Sequence, residues 1–344
     1  MWYKTLMKPI SLTLQTLYQD LVQAHLDRPL TGLTGAPHLR KSGGKSWWYA
    51  TIRQPGGAHQ QRFIGPDTKE TRTRIARWKA SAKDDRAFRE NAAAKARALR
   101  AARLPALDMQ NGKTLRALAQ AGTFRLGGVL VGTHAFRLYD LELGAYLSKD
   151  AVAITSDLDI ASFQKLSLAV GDHTEPELPE VMHALGLAPV ENLHRGRPVR
   201  WRLPGSDFVV DFLSPSFEQN EGPQKLEALG VWAQGLHFLN YLIRDPIPAV
   251  ALYREGVLVQ IPAPERFAIH KLIVSTRRKG PGRAKAAKDL AQARLLIEAL
   301  SEGRPHDLAL AYREAVREGP AWKAALDTAL YGHADLVRHL TRRG

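Results

Sequence analysis

The chain contains no cysteine among its 344 residues. Disulfides, zinc–thiolate clusters, iron–sulfur centres and cysteine nucleophiles are thereby excluded, and any metal must be held by carboxylates, histidines or water. Long apolar runs are missing too: no stretch approaches the roughly 18–20 residues that cross a bilayer. The N-terminal segment MWYKTLMKPISLTLQ has no compact apolar core followed by a small-residue cleavage site. These absences predict a cytoplasmic protein with no membrane partner. The twelve histidines form no His-Glu-x-x-His pattern and no close ligand pair. Gly43-Gly44-Lys45-Ser46 falls short of a phosphate-binding loop, because Leu39 stands where a glycine is required and a hairpin, not a helix, is expected next. Ser156 has no base beside it in sequence, and no internal repeat is present.

What the chain does have is positive charge, +15 in formal terms. Such a balance favours a polyanionic partner, most simply nucleic acid, although general arginine enrichment of a genome gives the same number. An apolar content of 44% and this length allow two or three domains with at least one sizeable core.

Three regions can be told apart. In residues 1–110, Ser11–His25 has helical periodicity, 31–46 reads as a loop, and Ser46–Arg53 and Gln60–Gly65 read as a hairpin around Gln54-Pro55-Gly56-Gly57. Thr68–Arg103 is rich in Ala, Arg and Lys with no interior Gly or Pro, which predicts a long basic helix. Trp47, Trp48 and Tyr49, interleaved with Arg53 and Arg62, suit base stacking and phosphate tracking. Packing of those aromatics on their own helix explains them equally well. Pro105 and Asn111-Gly112 mark a boundary near 105–112.

Residues 111–262 alternate in type. A helix at Lys113–Ala121 is followed by a strand at Gly128–Val131, a helix at Thr133–Leu143 and a strand around Ile154–Ile160. A helix near 176–186 and hairpins at 199–213 and 250–261 complete the region. Residues 263–344 read as helices at 265–277, 284–302 and 306–341. The expected class is α+β, a mixed sheet with helices flanked by an N-terminal hairpin and a C-terminal helical region.

Chemistry concentrates in the middle region. Asp157 and Asp159 lie in TSDLDIA, and in a strand such i, i+2 residues share a face while Leu158 and Ile160 turn to the core. An Asp-x-Asp pair alone is more often a solvated turn, but the apolar neighbours argue for a strand. Two carboxylates so close repel when ionised, and a divalent cation between them relieves that cost. Asp211, in DFVVDFLSP, is a third acid inside an apolar run. Hard oxygen ligands of this kind suit Mg²⁺ or Mn²⁺, which retain water and substrate phosphates. In LGGVLVGTHAFRLY, Gly132-Thr133 is a tight turn between strand and helix, with Thr133 the expected cap; a helix start after glycine suits phosphate, although taken alone an ordinary strand-to-helix turn explains it better.

Gly-Thr at a helix start, Asp-x-Asp on a strand and a later strand-borne Asp together resemble the DNA polymerase beta-like nucleotidyltransferase superfamily. Thr133 replaces the usual Ser or Gly, and the gap from Gly132 to Asp157 is longer than in minimal members. The chain looks closer to larger bacterial nucleotidyltransferase-fold proteins, some similar to abortive-infection toxins. The segment PAPERFAIHKLIVSTRRKGPGRAKAAKDLAQARLLIEAL is also similar to those proteins, and the resemblance covers about residues 120–302. It implies that Asp157, Asp159 and Asp211 bind Mg²⁺ or Mn²⁺, with Asp211 helping to deprotonate an acceptor hydroxyl. It also implies that Gly132, Thr133, Lys271 and Lys288 hold the nucleotide phosphates, although a plain surface role explains either lysine equally well. The implied reaction moves a nucleoside monophosphate from a nucleoside triphosphate to a hydroxyl of RNA (tRNA included), protein or a small molecule. RNA would be held through the basic 47–103 region. The alternatives are a non-catalytic nucleic-acid-binding protein that keeps the fold, and a toxin-like enzyme checked by an antitoxin protein.

Overall fold

The computed structural model describes residues 8–27, 36–42, 45–53, 59–147, 157–164, 173–217, 221–278, 280 and 283–341. Near the N-terminus, α1 (Leu12–Leu26) precedes an antiparallel sheet of β1 (Ala36–Ser42), β2 (Lys45–Arg53) and β3 (His59–Pro66). The expected hairpin is therefore present, its turn at 54–58 lying outside the described residues. Strand β1 occupies part of the expected loop at 31–46: Ala36–Ser42 pairs residue for residue with β2, and Pro37 is tolerated because β1 is an edge strand. Residues 31–35 and 43–44 are outside the described set. The long basic helix is α2 (Lys69–Ala101), capped by Thr68, whose hydroxyl accepts the Thr71 N–H.

Helix α3 (Met109–Ala121) begins four residues before the expected start, so Asn111-Gly112 lies inside a helix and not at a break. Two contacts explain this. The Asp108 carboxylate caps the helix by accepting the Asn111 N–H at 2.9 Å. Gly112 lies against the Tyr253 ring, where a β-carbon would collide with it.

The central sheet is mixed and has seven strands. It contains β4 (Val129–Val131), β5 (Asp157–Ala161), β6 (Ala188–Pro189), β7 (Arg200–Arg202), β8 (Val209–Pro215), β9 (Pro223–Leu226) and β10 (Val231–Leu236). The main path runs β4-β5-β8-β10-β9, with β7 joined to β8 and β6 to β7. Helix α4 (Gly132–Leu143) follows β4 directly, α5 (Leu178–Ala184) follows β5, and α6 (Leu239–Ile243) follows β10. The hairpin of β11 (Ile247–Ala251) and β12 (Val257–Ile261) forms a separate two-stranded sheet.

Five helices follow: α7 (Pro264–Arg277), α8 (Arg283–Gly303), α9 (Pro305–Arg317), α10 (Pro320–Leu330) and α11 (Ala334–Thr341). The single helix expected over 306–341 is in fact three. Gly319 at φ +138° with Pro320 at the next helix's first turn makes one break, and Gly332 at φ +79° lies at the other. One apolar core runs from Leu115 through the sheet to Leu340, so the C-terminal helices share the core of the sheet. A second, smaller core joins Tyr18, Leu21, Ala96 and Leu99 to Leu141, Val250 and Leu252. The Tyr18 hydroxyl locks it by accepting the Val250 N–H at 3.0 Å. Among the described residues no helix is long and apolar enough to cross a membrane.

Candidate active site

Strand β5 has the expected alternation: Leu158 and Ile160 are fully buried while Asp157 and Asp159 emerge on the opposite face. β8 lies parallel beside β5 with Asp159 opposite Asp211, so the third carboxylate joins the same face. The three predicted acids are thus brought together by strand register alone. Burial, followed by the neighbouring charges of Asp211 and Asp157, pushes the Asp159 carboxyl up to about 7, while Lys271 and Lys285 act in the opposite sense. Asp157 and Asp159 offer oxygen donors side by side, the set that a hard divalent ion takes when it keeps waters and phosphates in its other positions. Among the described residues no three His, Asp or Glu side chains form a ready-made metal cage.

Gly132 stands directly beside this face. Val131 pairs with Asp159, and the chain turns into α4 at the next residue. Gly132 has φ +68°, and a β-carbon there would collide with the Asp159 carboxylate. Glycine is therefore demanded twice at this position. Helix α4 starts at Gly132 with Val131 as its cap and no side-chain cap bond, so Thr133 does not cap the helix as expected. Thr133 is instead a buried second residue of the first turn. The first turn of α4 thus begins beside the Asp159 carboxylate.

Across from the acids stand lysines of α7 and α8. Lys271 is held by Asp289, Nζ to Oδ1 at 2.6 Å, and Arg278 Nε donates to the other Asp289 oxygen at 3.0 Å. Burial alone would raise the Asp289 carboxyl, but these two cations hold it below its usual range. Lys288 precedes Asp289 on α8, and burial together with Lys271 lowers its ammonium. Lys285, one turn earlier on α8, places Nζ 3.8 Å from Asp157 Oδ2. Both predicted lysines therefore reach the site's vicinity, Lys271 as a braced residue.

Three participants escaped the sequence reading. Lys285 and Asp289 lie at i, i+4 on the predicted helix, which places them on one face. The third is Arg200, whose Nε and Nη2 each donate to an Asp211 oxygen at 2.6 Å. Counting outward from the Leu203–Phe208 turn of the expected hairpin sets Arg200 opposite Asp211, as the structure has it. His134, in the first turn of α4, is 1% exposed with both ring nitrogens unpartnered. Burial first, then Arg137, pushes it down to about 4. His270 is buried on α7 behind Lys271.

No curated protein matches the chain. One solved structure similar to it is that of an antigenic nucleotidyltransferase-like protein from Paracoccidioides brasiliensis, at 15% identity and a TM-score of 0.38. That alignment covers 69% of this chain and 94% of the other. A family model described as Nucleotidyltransferase matches residues 110–317, from the first turns of α3 to the end of α9. With more than half of its residues so matched, including all three aspartates and the lysine helices, the chain belongs to the nucleotidyltransferase family.

Proposed function

We propose that the chain transfers a nucleoside monophosphate from a nucleoside triphosphate to a hydroxyl acceptor, releasing pyrophosphate, with Mg²⁺ or Mn²⁺ at Asp157, Asp159 and Asp211. The observation that carries this reading is the register of β5 and β8, which gathers three carboxylates on one face at the start of α4. The bound ion would polarise the transferring phosphate and offset charge on the leaving oxygens. Asp157 and Asp159 supply its oxygen donors. Asp211 is the nearest further carboxylate to take up the proton from the attacking hydroxyl. The acceptor oxygen forms a bond to the α-phosphorus as the bond from that phosphorus to the β-phosphate oxygen breaks. Lys271, Lys285 and Lys288 bring positive charge to the carboxylates and neutralise the triphosphate. The α4 N-terminus adds N–H donors for phosphate oxygens.

RNA is the acceptor class this reading favours, because α2 carries a dense row of Lys and Arg. Trp48 is committed elsewhere: its indole N–H donates to Asp67 at 2.8 Å and Lys79 lies over its ring. The basic helix, more than the aromatic cluster, is therefore the surface offered to phosphate. A cytoplasmic location fits such an acceptor.

The full-length protein, incubated with each labelled nucleoside triphosphate, Mg²⁺ or Mn²⁺, and total RNA or total protein, is expected to label one fraction. Asp159→Asn and Asp157→Asn should reduce labelling by about a thousandfold, the scale at which lost electrostatic stabilisation of a transition state appears. Full labelling by both folded variants would sink the assignment.

A further inference from the structure

Asp211 is already engaged by a cation on its own sheet. Its two oxygens are both taken by the Arg200 guanidinium, in the two-pronged geometry that is the strongest form of this pair. The arrangement follows from the backbone: β7 and β8 are antiparallel with Arg200 directly opposite Asp211, and opposed residues project to one face. Exposure is unequal between the partners. The Asp211 side chain is 14% exposed on an interior strand, whereas that of Arg200 is 47% exposed on a three-residue strand off the sheet's main path. The charges of Asp157 and Asp159 also act on Arg200. The guanidinium thus stands at the mouth of the carboxylate cluster with an exposed side.

We propose that Arg200 is a nucleotide-operated latch on the third carboxylate. This rests on the reading of Asp157, Asp159 and Asp211 as a metal and nucleotide site. Without nucleotide, Arg200 occupies Asp211 and leaves an incoming ion only the two β5 carboxylates. A triphosphate offers the guanidinium several anionic oxygens with the same fork geometry, in place of one carboxylate. When Arg200 moves onto a phosphate, Asp211 is released to the ion and to the acceptor hydroxyl. Nucleotide and metal are then coupled through one side chain, each favouring the other. A divalent ion without substrate binds poorly, and so does a phosphate chain when the arginine is missing.

The test uses the full-length protein and two probes. Free Mn²⁺ is titrated by electron paramagnetic resonance without nucleotide, and inorganic tripolyphosphate is titrated calorimetrically in chelator. Arg200→Met is expected to bind Mn²⁺ at least about tenfold more tightly than wild type, because removing a paired cation frees both Asp211 oxygens. The same variant should bind tripolyphosphate about tenfold more weakly, since the forked phosphate contact is lost. Arg200→Lys keeps the charge without the fork and should fall between, which keeps the test decisive if the methionine variant fails to fold. Asp159→Asn must abolish Mn²⁺ uptake. If it does, while Mn²⁺ binding by the Arg200 variants is unchanged or weaker, the latch is refuted and the metal site stands. Mn²⁺ uptake that ignores Asp159→Asn, or is absent in every protein, overturns the metal reading and the latch with it.

Discussion

Gly132 shows how one missing β-carbon sets the geometry of the site. Its backbone is left-handed at φ +68°, and the space a side chain would need is filled by the Asp159 carboxylate. Gly132→Ala is expected to cost about 1–3 kcal/mol in denaturant unfolding, the usual range for one strained backbone position. It should also lower transfer by about a hundredfold, because a reacting group displaced by ~1 Å loses that much. Unchanged stability and activity would contradict the contact. The two buried histidines each contribute to the response to acid. His270 is pushed down to about 3 by burial and by Lys271, Arg278 and Arg277, against Asp289. His134 is pushed to about 4 by burial, Arg137 and Lys288, against Asp108 and Asp157. Both are neutral when folded, and the unfolded chain takes up their protons first. The histidines' contribution to stability is therefore full above about pH 6.5 and falls below it, until they protonate in the folded state; the raised Asp159 carboxyl acts in the opposite sense over the same range. The loss should be about 2 kcal/mol per histidine by pH 5. Unfolding of wild type and His270→Gln at pH 7.5 and pH 5 tests this, and an equal pH dependence in both would refute it.

At the scale of elements, α7 and α8 are joined by a charged clasp. Asp289, its side chain 4% exposed, ties Lys271 of α7 to Arg278 just beyond that helix. Removing one partner of a buried pair leaves the others uncompensated. Asp289→Ala is expected to destabilise the protein by about 3 kcal/mol and to raise the KM for nucleotide, because Lys271 loses its brace. A melting curve and a KM indistinguishable from wild type would show the clasp to be idle. Helix α3 makes the same point through packing. Gly112 is a poor helix former, yet it lies in the first turn of the helix, where the Tyr253 ring occupies its open side. Gly112→Ala would raise helix propensity but overpack this contact. A net loss of about 1–3 kcal/mol is expected, and a gain in stability would mean the ring moves aside freely.

Across the whole molecule, the basic helix α2 is anchored through the smaller core. Leu99 is fully buried and packs in the smaller core with Tyr18, Val250 and Leu252, and β11 continues through its hairpin toward α7. Leu99→Ala is expected to cost about 2–5 kcal/mol, as for other buried leucines. RNA labelling should fall more than nucleotide binding, since α2 loosens while the carboxylate face is untouched. Equal loss of both would mean that α2 is integral to the site.

The sequence by itself determined the alternation that exposes Asp157 and Asp159, the strand-borne Asp211, the glycine turn before α4 and the long basic helix. Each depends on periodicity or on a single residue's conformational range, and these are local properties. It mislaid the start of α3, β1 and the breaks in the last helices, where a distant ring, a partner strand or a glycine-centred turn overrides propensity. The sequence did not reveal that Arg200 holds both oxygens of Asp211, that Lys271 is committed to Asp289, or that Lys285 reaches Asp157. Those pairings depend on which strands lie side by side and how two helices close. Coulomb attraction falls off with distance in space, not along the chain, so only the tertiary structure decided which charges meet.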